Sequence, residues 1–336
     1  MKPRQRVSAA LAGAPLDRPP VSFWGHVYHR ESSAPDLVDA TLEAQRRYAW
    51  DWVKLNPRKH YHVEPWGVRY RYSGRPNEKP ALEDWPVRDA EDWRRIHEQP
   101  HDRGALAEQL EAVRMLRASL DPDVPMIETV FTPLAVLGEM VETPDVLRRH
   151  LDENPAGVHA ALESVTRTFE KFVRAVLAAG ADGVYFATVD WASRDLLDAA
   201  AYRTWARPGD LRVIAAAAGA RFNVLHVCKR HNLLYEVADY PVHAFSWDAL
   251  EPSNPSLADA LKRLPGAVMG GIPFDDTLKV AAPDRFADAY RRGLEATQGR
   301  RWLVAPGCSI PPAAAPENLE AVRNAVTATR LDEIRT

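Results

Sequence analysis

Short apolar runs recur along the chain, and each is followed by a longer stretch in which apolar positions repeat with helical spacing. A short apolar run is typical of a buried strand, whereas a repeat every three or four residues is typical of a helix packed on one face. The predicted strands cover residues 21–24, 51–55, 125–131, 183–188, 222–228, 242–247, 267–271 and 301–305. The predicted helices cover residues 5–13, 36–48, 89–98, 102–120, 144–153, 155–179, 195–220, 255–263, 284–297 and 316–329.

Eight strands that alternate with helices predict an α/β fold, the (β/α)8 TIM barrel. A doubly wound open sheet is the alternative, but the sequence has neither a G-x-G-x-x-G nor a G-x-x-x-x-G-K-[ST] motif to support nucleotide binding there. Alternating aromatic residues around Gly67 predict a hairpin insertion at about 60–85, after the second strand. We therefore predict one domain over residues 1–336, with a helix at its N-terminus.

Composition narrows the class of partner. The chain has 336 residues, of which 46% are hydrophobic and 26% charged, and its net charge is −3. This balance gives no global electrostatic reason to expect nucleic acid or an anionic membrane as a partner. No run approaches the ~18–20 apolar residues of a transmembrane helix, and the apolar part of the N-terminus is too short for a signal peptide. We expect a cytoplasmic protein that acts on a small-molecule substrate, while the oligomeric state stays open.

The chain has two cysteines, Cys228 and Cys308, and both come at or just after the end of an apolar run. His226 precedes Cys228 by two residues, so on a strand both side chains point to the same face. In a barrel, the carboxyl ends of all strands meet at one mouth, which brings Cys308 to the same place. One imidazole and two thiolates are ligands that zinc prefers, with a fourth position open. A disulfide and two unrelated buried thiols are the alternatives.

Further candidate residues lie at or near the other predicted strand ends. As catalytic residues we expect Asp190, Glu128 and His60, and as cofactor-binding residues Trp24, His26, Gly270 and Gly271. Simpler interpretations compete with several of these. Asp190 could cap a helix, a buried Glu128 would need a polar partner, and the two glycines could form a bulge. His60 and His62 are more typical of a surface hairpin than of a site.

Several short motifs occur in an order and spacing that resemble the uroporphyrinogen decarboxylase superfamily over some 300 residues. They are RQRVSAAL at 4–11, DRPPV at 17–21, EPWG at 64–67, FTPL at 131–134, LHVC at 225–228, GGIP at 270–273 and APGCSIPP at 305–312. The resemblance implies the barrel fold, and it implies one of two chemistries.

The first chemistry is metal-free decarboxylation. By resemblance, a true decarboxylase would carry an R-Q-A-G-R-Y segment, an aspartate after the second strand and a final G-H-G. Here residues 24–30 read WGHVYHR, Arg58 stands at the place of the aspartate, and residues 307–309 read GCS. Arginine is donor-only and cannot accept hydrogen bonds from pyrrole N–H groups. A tetrapyrrole lyase is therefore the less favoured alternative, together with a non-catalytic barrel that binds a corrinoid or tetrapyrrole.

The second chemistry is that of the methylcobalamin:coenzyme M methyltransferases, whose zinc signature is H-x-C followed by one more cysteine. His226, Cys228 and Cys308 match this signature. The resemblance implies a zinc-dependent methyltransferase that moves a methyl group between a corrinoid donor and a thiol-type acceptor. Asp248, Glu251, a water or the acceptor thiol would complete the zinc shell. The chain has no D-x-H-x-x-G corrinoid-binding motif, so we expect the corrinoid to be free or carried by a partner protein.

Overall fold

Seven parallel strands form the central sheet of the computed structural model, which describes residues 1–331. The strands are β1 (Val53–Leu55), β4 (Met126–Phe131), β5 (Gly183–Ala187), β6 (Val224–His226), β7 (Ala244–Ser246), β8 (Ala267–Ile272) and β9 (Trp302–Pro306). They pair in the order β1-β4-β5-β6-β7-β8-β9. Two further strands, β2 (Arg69–Arg71) and β3 (Ala81–Asp84), pair antiparallel outside this sheet. The sheet curls as predicted for a barrel, but it has seven strands rather than eight.

Residues 20–22 join the two edges of the sheet. The Ser22 amide donates to the Val304 carbonyl at 3.1 Å, and the Asp51 amide donates to the Val21 carbonyl at 2.9 Å. The prediction of a regular strand at 21–24 is wrong, because this segment forms only isolated bridges, at Val21 and Gly25. The reason is a long-range contact: the Val21 amide donates to the Asp51 carboxylate at 2.9 Å instead of joining a ladder.

Buried ion pairs hold the segment at residues 20–22 in place. Asp51 is only 1% exposed, and its carboxylate contacts Arg6 at 2.6 Å and Arg18 at 2.7 Å. Arg6 lies in the first helix, so the helix, the joining segment and the entry to β1 share one ionic cluster. A buried carboxylate needs such partners to offset its loss of hydration.

Helices pack around the sheet, and the first of them lies against its inner core, since Val7 and Ala10 share a cluster with Trp52, Ile127 and Met269. They are α1 (Pro3–Ala12), α2 (Ala34–Tyr48), α3 (Gly104–Ser119), α4 (Pro133–Gly138), α5 (Pro144–Glu153), α6 (Pro155–Ala178), α7 (Ala199–Trp205), α8 (Arg207–Ala215), α9 (Leu257–Arg263), α10 (Pro283–Thr297) and α11 (Pro316–Ala328). The single helix predicted over 195–220 is two helices, because Pro208 lacks an amide proton and starts a new one. The helix predicted over 89–98 is a 3-10 helix, Ala90–Arg95.

The region predicted as a hairpin insertion has a different internal arrangement from the one expected. Its antiparallel pair uses residues 69–71 and 81–84, whereas residues 60–66 form turns and a 3-10 helix. Tyr61 and Trp66 in this part are buried against the main core. No helix in residues 1–331 is long and apolar enough to cross a membrane.

Candidate metal centre

The structure brings His226, Cys228 and Cys308 together at the carboxyl ends of β6 and β9. These three residues are called the ligand group below. Their ligand atoms all lie within 4.8 Å of one another. The two sulfurs are 3.8 Å apart, too far for a disulfide, whose S–S bond is ~2.05 Å. Two zinc–sulfur bonds of ~2.3 Å at a tetrahedral angle span about 3.8 Å. The spacing of the two thiols therefore fits a shared tetrahedral zinc ion without rearrangement.

His226 is held in the orientation that a metal ligand needs. Its Nδ1 lies 3.1 Å from the Ser246 hydroxyl, and its ring stacks on Tyr185 with centroids 5.1 Å apart. The Tyr185 and Ser246 hydroxyls are themselves 3.1 Å apart. His226 Nε2 is buried and has no hydrogen-bond partner. Because an unpartnered buried nitrogen is costly, this atom has the position and the free lone pair of a ligand.

The two thiols share their hydrogen-bonding capacity. The hydrogen bond with Cys228 lowers the pKa of Cys308 well below its usual range, and nearby His226 acts in the same direction against burial. The same hydrogen bond, together with burial, raises the pKa of Cys228. A zinc ion held by the two sulfurs would favour the thiolate form of both, because coordination deprotonates a thiol.

Cys228 and Cys308 lie between two concave regions. The inner one is a cavity of about 350 Å³ that contains Trp24, His26, His60 and Asp190 from the predicted set. The outer one is a wider groove of about 590 Å³ that contains Asp190, Asp248 and Glu251. Both cysteines line both regions, so the ligand group is accessible from two sides.

The aspartate and histidines of the predicted set have specific partners. Asp190 is paired with Lys229 at 3.0 Å where the cavity meets the groove. The His60 and His62 rings are each only 1% exposed, so the favoured interpretation of a surface hairpin is wrong. Glu139 accounts for their burial, since its carboxylate lies 2.8 Å from His60 and 3.3 Å from His62. Burial alone would raise the pKa of Glu139, but Lys59 and these histidines hold it well below its usual range.

Four predicted site residues are not brought into the ligand group or the inner cavity. Glu128 is fully buried, where its carboxylate accepts from Gln109 of α3 at 3.1 Å, and burial raises its pKa well above the usual range. It therefore packs under a helix instead of facing the mouth. Asp248 is outside the ligand group, and its carboxylate accepts from the Leu250 amide at 3.1 Å in a turn.

Gly270 and Gly271 make room for the protein itself. Both have positive φ angles, 148° and 96°. A Cβ at Gly270 would lie 2.9 Å from the Trp247 carbonyl, and one at Gly271 would lie 2.9 Å from Leu257. The expected close approach is real, but backbone and core side chains make it, and neither glycine lines the inner cavity or the outer groove. The two glycines also pair in register with β9, so the alternative of a bulge is wrong.

Sequence reasoning missed Lys54, which lies on β1 and lines the inner cavity. Lys54 is 5% exposed, and burial lowers its pKa to about 7. Its ammonium donates to Asn56 Oδ1 at 2.8 Å and lies over the rings of Tyr185 (4.7 Å) and Trp24 (5.5 Å). The only feature of the sequence that could have indicated Lys54 as a site residue is its place inside the second predicted strand, two residues before Asn56.

The curled parallel sheet and the histidine–cysteine group at its carboxyl edge define an α/β protein of a known family. The chain belongs to the uroporphyrinogen decarboxylase (URO-D) family, whose sequence profile matches residues 2–329. The family predicted from the motifs is therefore confirmed.

Relatives in this family include methyltransferases. The methylcobamide:CoM methyltransferase MtaA of Methanosarcina barkeri is 25% identical over 223 residues, which span 66% of this chain and 63% of that protein. A solved methyltransferase from Methanosarcina mazei has a TM-score of 0.84 at 22% identity, over the full length of both chains. A B12-independent methionine synthase from Shewanella sp. W3-18-1 has a TM-score of 0.57 at 12% identity, over 95% of this chain and 98% of that one. The two solved structures are similar to this chain in fold.

Proposed function

We propose that the protein is a zinc-dependent methyltransferase that moves a methyl group from a corrinoid, methylcobalamin, to a thiol-type acceptor. The observation that carries this proposal is the convergence of His226 Nε2 and the two sulfurs at zinc-ligand spacing. Zinc held there would keep an acceptor thiol in its nucleophilic thiolate form at neutral pH. The methyltransferase relatives support this chemistry over decarboxylation.

The surroundings of the ligand group suit two substrates. The inner cavity is lined mostly by polar and charged side chains, with Trp24, Tyr28, Phe131 and Tyr185 among them, and such convergent polar groups can orient a small molecule. The outer groove is wider, and Asp248 and Glu251 line it. We therefore assign the acceptor to the cavity and the methyl donor, free or on a partner protein, to the groove. Both cysteines must stay reduced for this role, which supports the predicted cytoplasmic location.

Arg58 explains why decarboxylation is not proposed. It lines the inner cavity, where its guanidinium pairs with Glu64 at 3.2 Å and with Glu108 at 3.6 Å. A permanently charged donor at this place cannot act as the acceptor that a pyrrole N–H group requires.

Transfer of the methyl group from free methylcobalamin to 2-mercaptoethanol, followed by the change in corrinoid absorption, tests the proposal. We expect turnover by the zinc-loaded protein and none by Cys308→Ser, because serine is a poor zinc ligand at neutral pH. Ser119→Ala is the control, since it changes an exposed residue at the end of α3 away from both concave regions, and it should keep turnover. Equal rates for the wild type and Cys308→Ser would contradict the assignment of this site.

A further inference from the structure

Lys54 is the buried cation of the inner cavity that has no carboxylate partner within 4.0 Å in residues 1–331. The neighbouring cations of the cavity wall each have a carboxylate partner. Arg58 pairs with Glu64, Lys59 with Glu139, and Lys229 with Asp190. Burial lowers the pKa of Lys54 to about 7, so its ammonium form needs a nearby negative charge to persist at neutral pH.

The nearest carboxylates are engaged elsewhere, and among the groups that oppose the effect of burial on the pKa of Lys54 the largest is Cys308, one of the three metal-ligand candidates. Glu31 is engaged by His26 at 2.7 Å and by the Val27 amide at 2.8 Å. Glu128 lies under α3, where its carboxyl group accepts from Gln109, and burial raises its pKa well above the usual range. The direct contacts of Lys54 are an amide oxygen, that of Asn56, and two aromatic faces, which stabilise a cation without neutralising it.

Lys54 is also close to the ligand group. Its ammonium lies 4.7 Å from the centroid of the Tyr185 ring, and Tyr185 stacks directly on His226. Asn56 links Lys54 to the other side of the group, since its Oδ1 also accepts from the hydroxyl of Ser309, the residue after Cys308. The positive charge is therefore positioned beside the metal ligands through two short chains of contacts.

The net charge expected of a zinc ion and its ligands gives Lys54 a role. Two cysteinates and a neutral imidazole balance the charge of a zinc ion, so a further thiolate in the fourth position leaves one net negative charge in a largely buried place. Such a charge is stabilised by a nearby cation that water does not screen.

We infer that Lys54 is the positioning residue that supplies the counter-charge for an anionic ligand at the fourth position of the His226–Cys228–Cys308 group. This inference rests on the proposed function, because it requires a metal at that group. It predicts that Lys54 selects for the charge of the fourth ligand: a thiolate gains from the cation, and a neutral ligand of similar size does not.

Ligand binding to the cobalt(II)-substituted protein tests this selection without any assay of activity. Thiolate binding gives a sulfur-to-cobalt absorption band, and imidazole serves as the neutral probe. For Lys54→Met we expect about tenfold weaker binding of 2-mercaptoethanol at constant pH, and imidazole binding within twofold of the wild type. Lys262→Met is the matched control, because it removes an exposed lysine of α9 that lines neither the inner cavity nor the outer groove, and it should change neither affinity by more than about twofold.

Thermal unfolding of the same variants separates charge from packing. Methionine fills much of the space of a lysine stem, and replacing an unpaired buried charge with an apolar group is neutral or stabilising. Lys54→Met should therefore unfold at the wild-type temperature or above. Equal weakening of both probes, or weakening of neither, would overturn the inference while leaving the metal site intact. Failure of the wild type to bind cobalt or zinc would instead remove the proposed function, and the inference with it.

Discussion

At the scale of single residues, the ligand group is defined by what surrounds it as much as by its three members. Ser246 fixes one nitrogen of His226, Tyr185 supports the ring, and the other nitrogen is left unpartnered. Hydroxyl or carboxylate groups that hold a ligand histidine typically orient the ring and raise metal affinity. The contribution of Ser246 is therefore measurable apart from the ligands themselves.

Ser246→Ala should weaken zinc affinity about tenfold while leaving the fold intact, because it removes the hydrogen bond that holds His226 Nδ1. Competition with a chromophoric chelator measures the change. Thr188→Ala is the matched control, since this buried hydroxyl bonds the His226 backbone carbonyl at 3.2 Å and not its ring. Equal affinities for Ser246→Ala and the wild type would show that the ring is positioned by stacking alone.

The sequence predicted the ligands but not their environment. His226 and Cys228 could be found because strand periodicity places residues i and i+2 on one face, and Cys308 because it follows another strand. Nothing local marks Lys54 or Glu139, since each acquires its role from residues far away in the chain. Glu139, for example, meets His60 across 79 positions. Glu128 was misassigned because the sequence alone did not tell us which face of β4 it occupies.

At the scale of elements, the two helices that replace the single one predicted over 195–220 are joined by a buried polar cluster. Asp210 of α8 is fully buried, and its carboxylate accepts from Tyr202 of α7 at 2.8 Å and from Tyr240 at 3.0 Å. Burial raises the pKa of Asp210 to about 7, against the opposing effect of these hydrogen bonds. Pro208 could have been read as the helix boundary from sequence, but the partners of Asp210 could not.

Asp210 makes the free energy of unfolding depend on pH. Its folded pKa is raised, so the protonated carboxyl stabilises the fold fully below about pH 4, and this stabilisation is lost as pH rises through about 7. Asp210→Asn removes the titration and keeps an oxygen for the tyrosines. From pH 5 to pH 8 the variant should become more stable relative to the wild type, by roughly 2–4 kcal/mol. Urea unfolding at several pH values measures this, and a pH-independent difference would contradict the account.

At the scale of the whole molecule, the curled sheet depends on how its two edges are joined. Hydrophobic periodicity predicted the order of the seven sheet strands, but not the division of residues 195–220 into two helices or the irregular segment at 21–24. That segment departs from a regular strand because the Asp51 side chain, and not a neighbouring strand, accepts from the Val21 amide. The cluster of Asp51 with Arg6 and Arg18 links residues 33 and 45 positions apart, which is why no local pattern revealed it.

Asp51→Ala should destabilise the fold by about 3–5 kcal/mol, because it leaves two buried guanidinium groups without their shared carboxylate. Chemical denaturation measures the loss. Asp123→Ala, which removes a partner of exposed Lys2, should cost less than about 1 kcal/mol. A similar small cost for both variants would show that the ionic cluster does not hold the sheet edges together.

The central claim is that His226, Cys228 and Cys308 together hold one zinc ion. X-ray absorption at the zinc edge, on protein purified without added metal and quantified for zinc, tests it most directly. We predict about one zinc per chain, with two sulfur neighbours at ~2.3 Å and a nitrogen neighbour at ~2.0 Å, and loss of both sulfur neighbours in Cys228→Ser/Cys308→Ser. A zinc-free wild type, or a zinc shell that keeps its sulfurs in the double variant, would contradict the account.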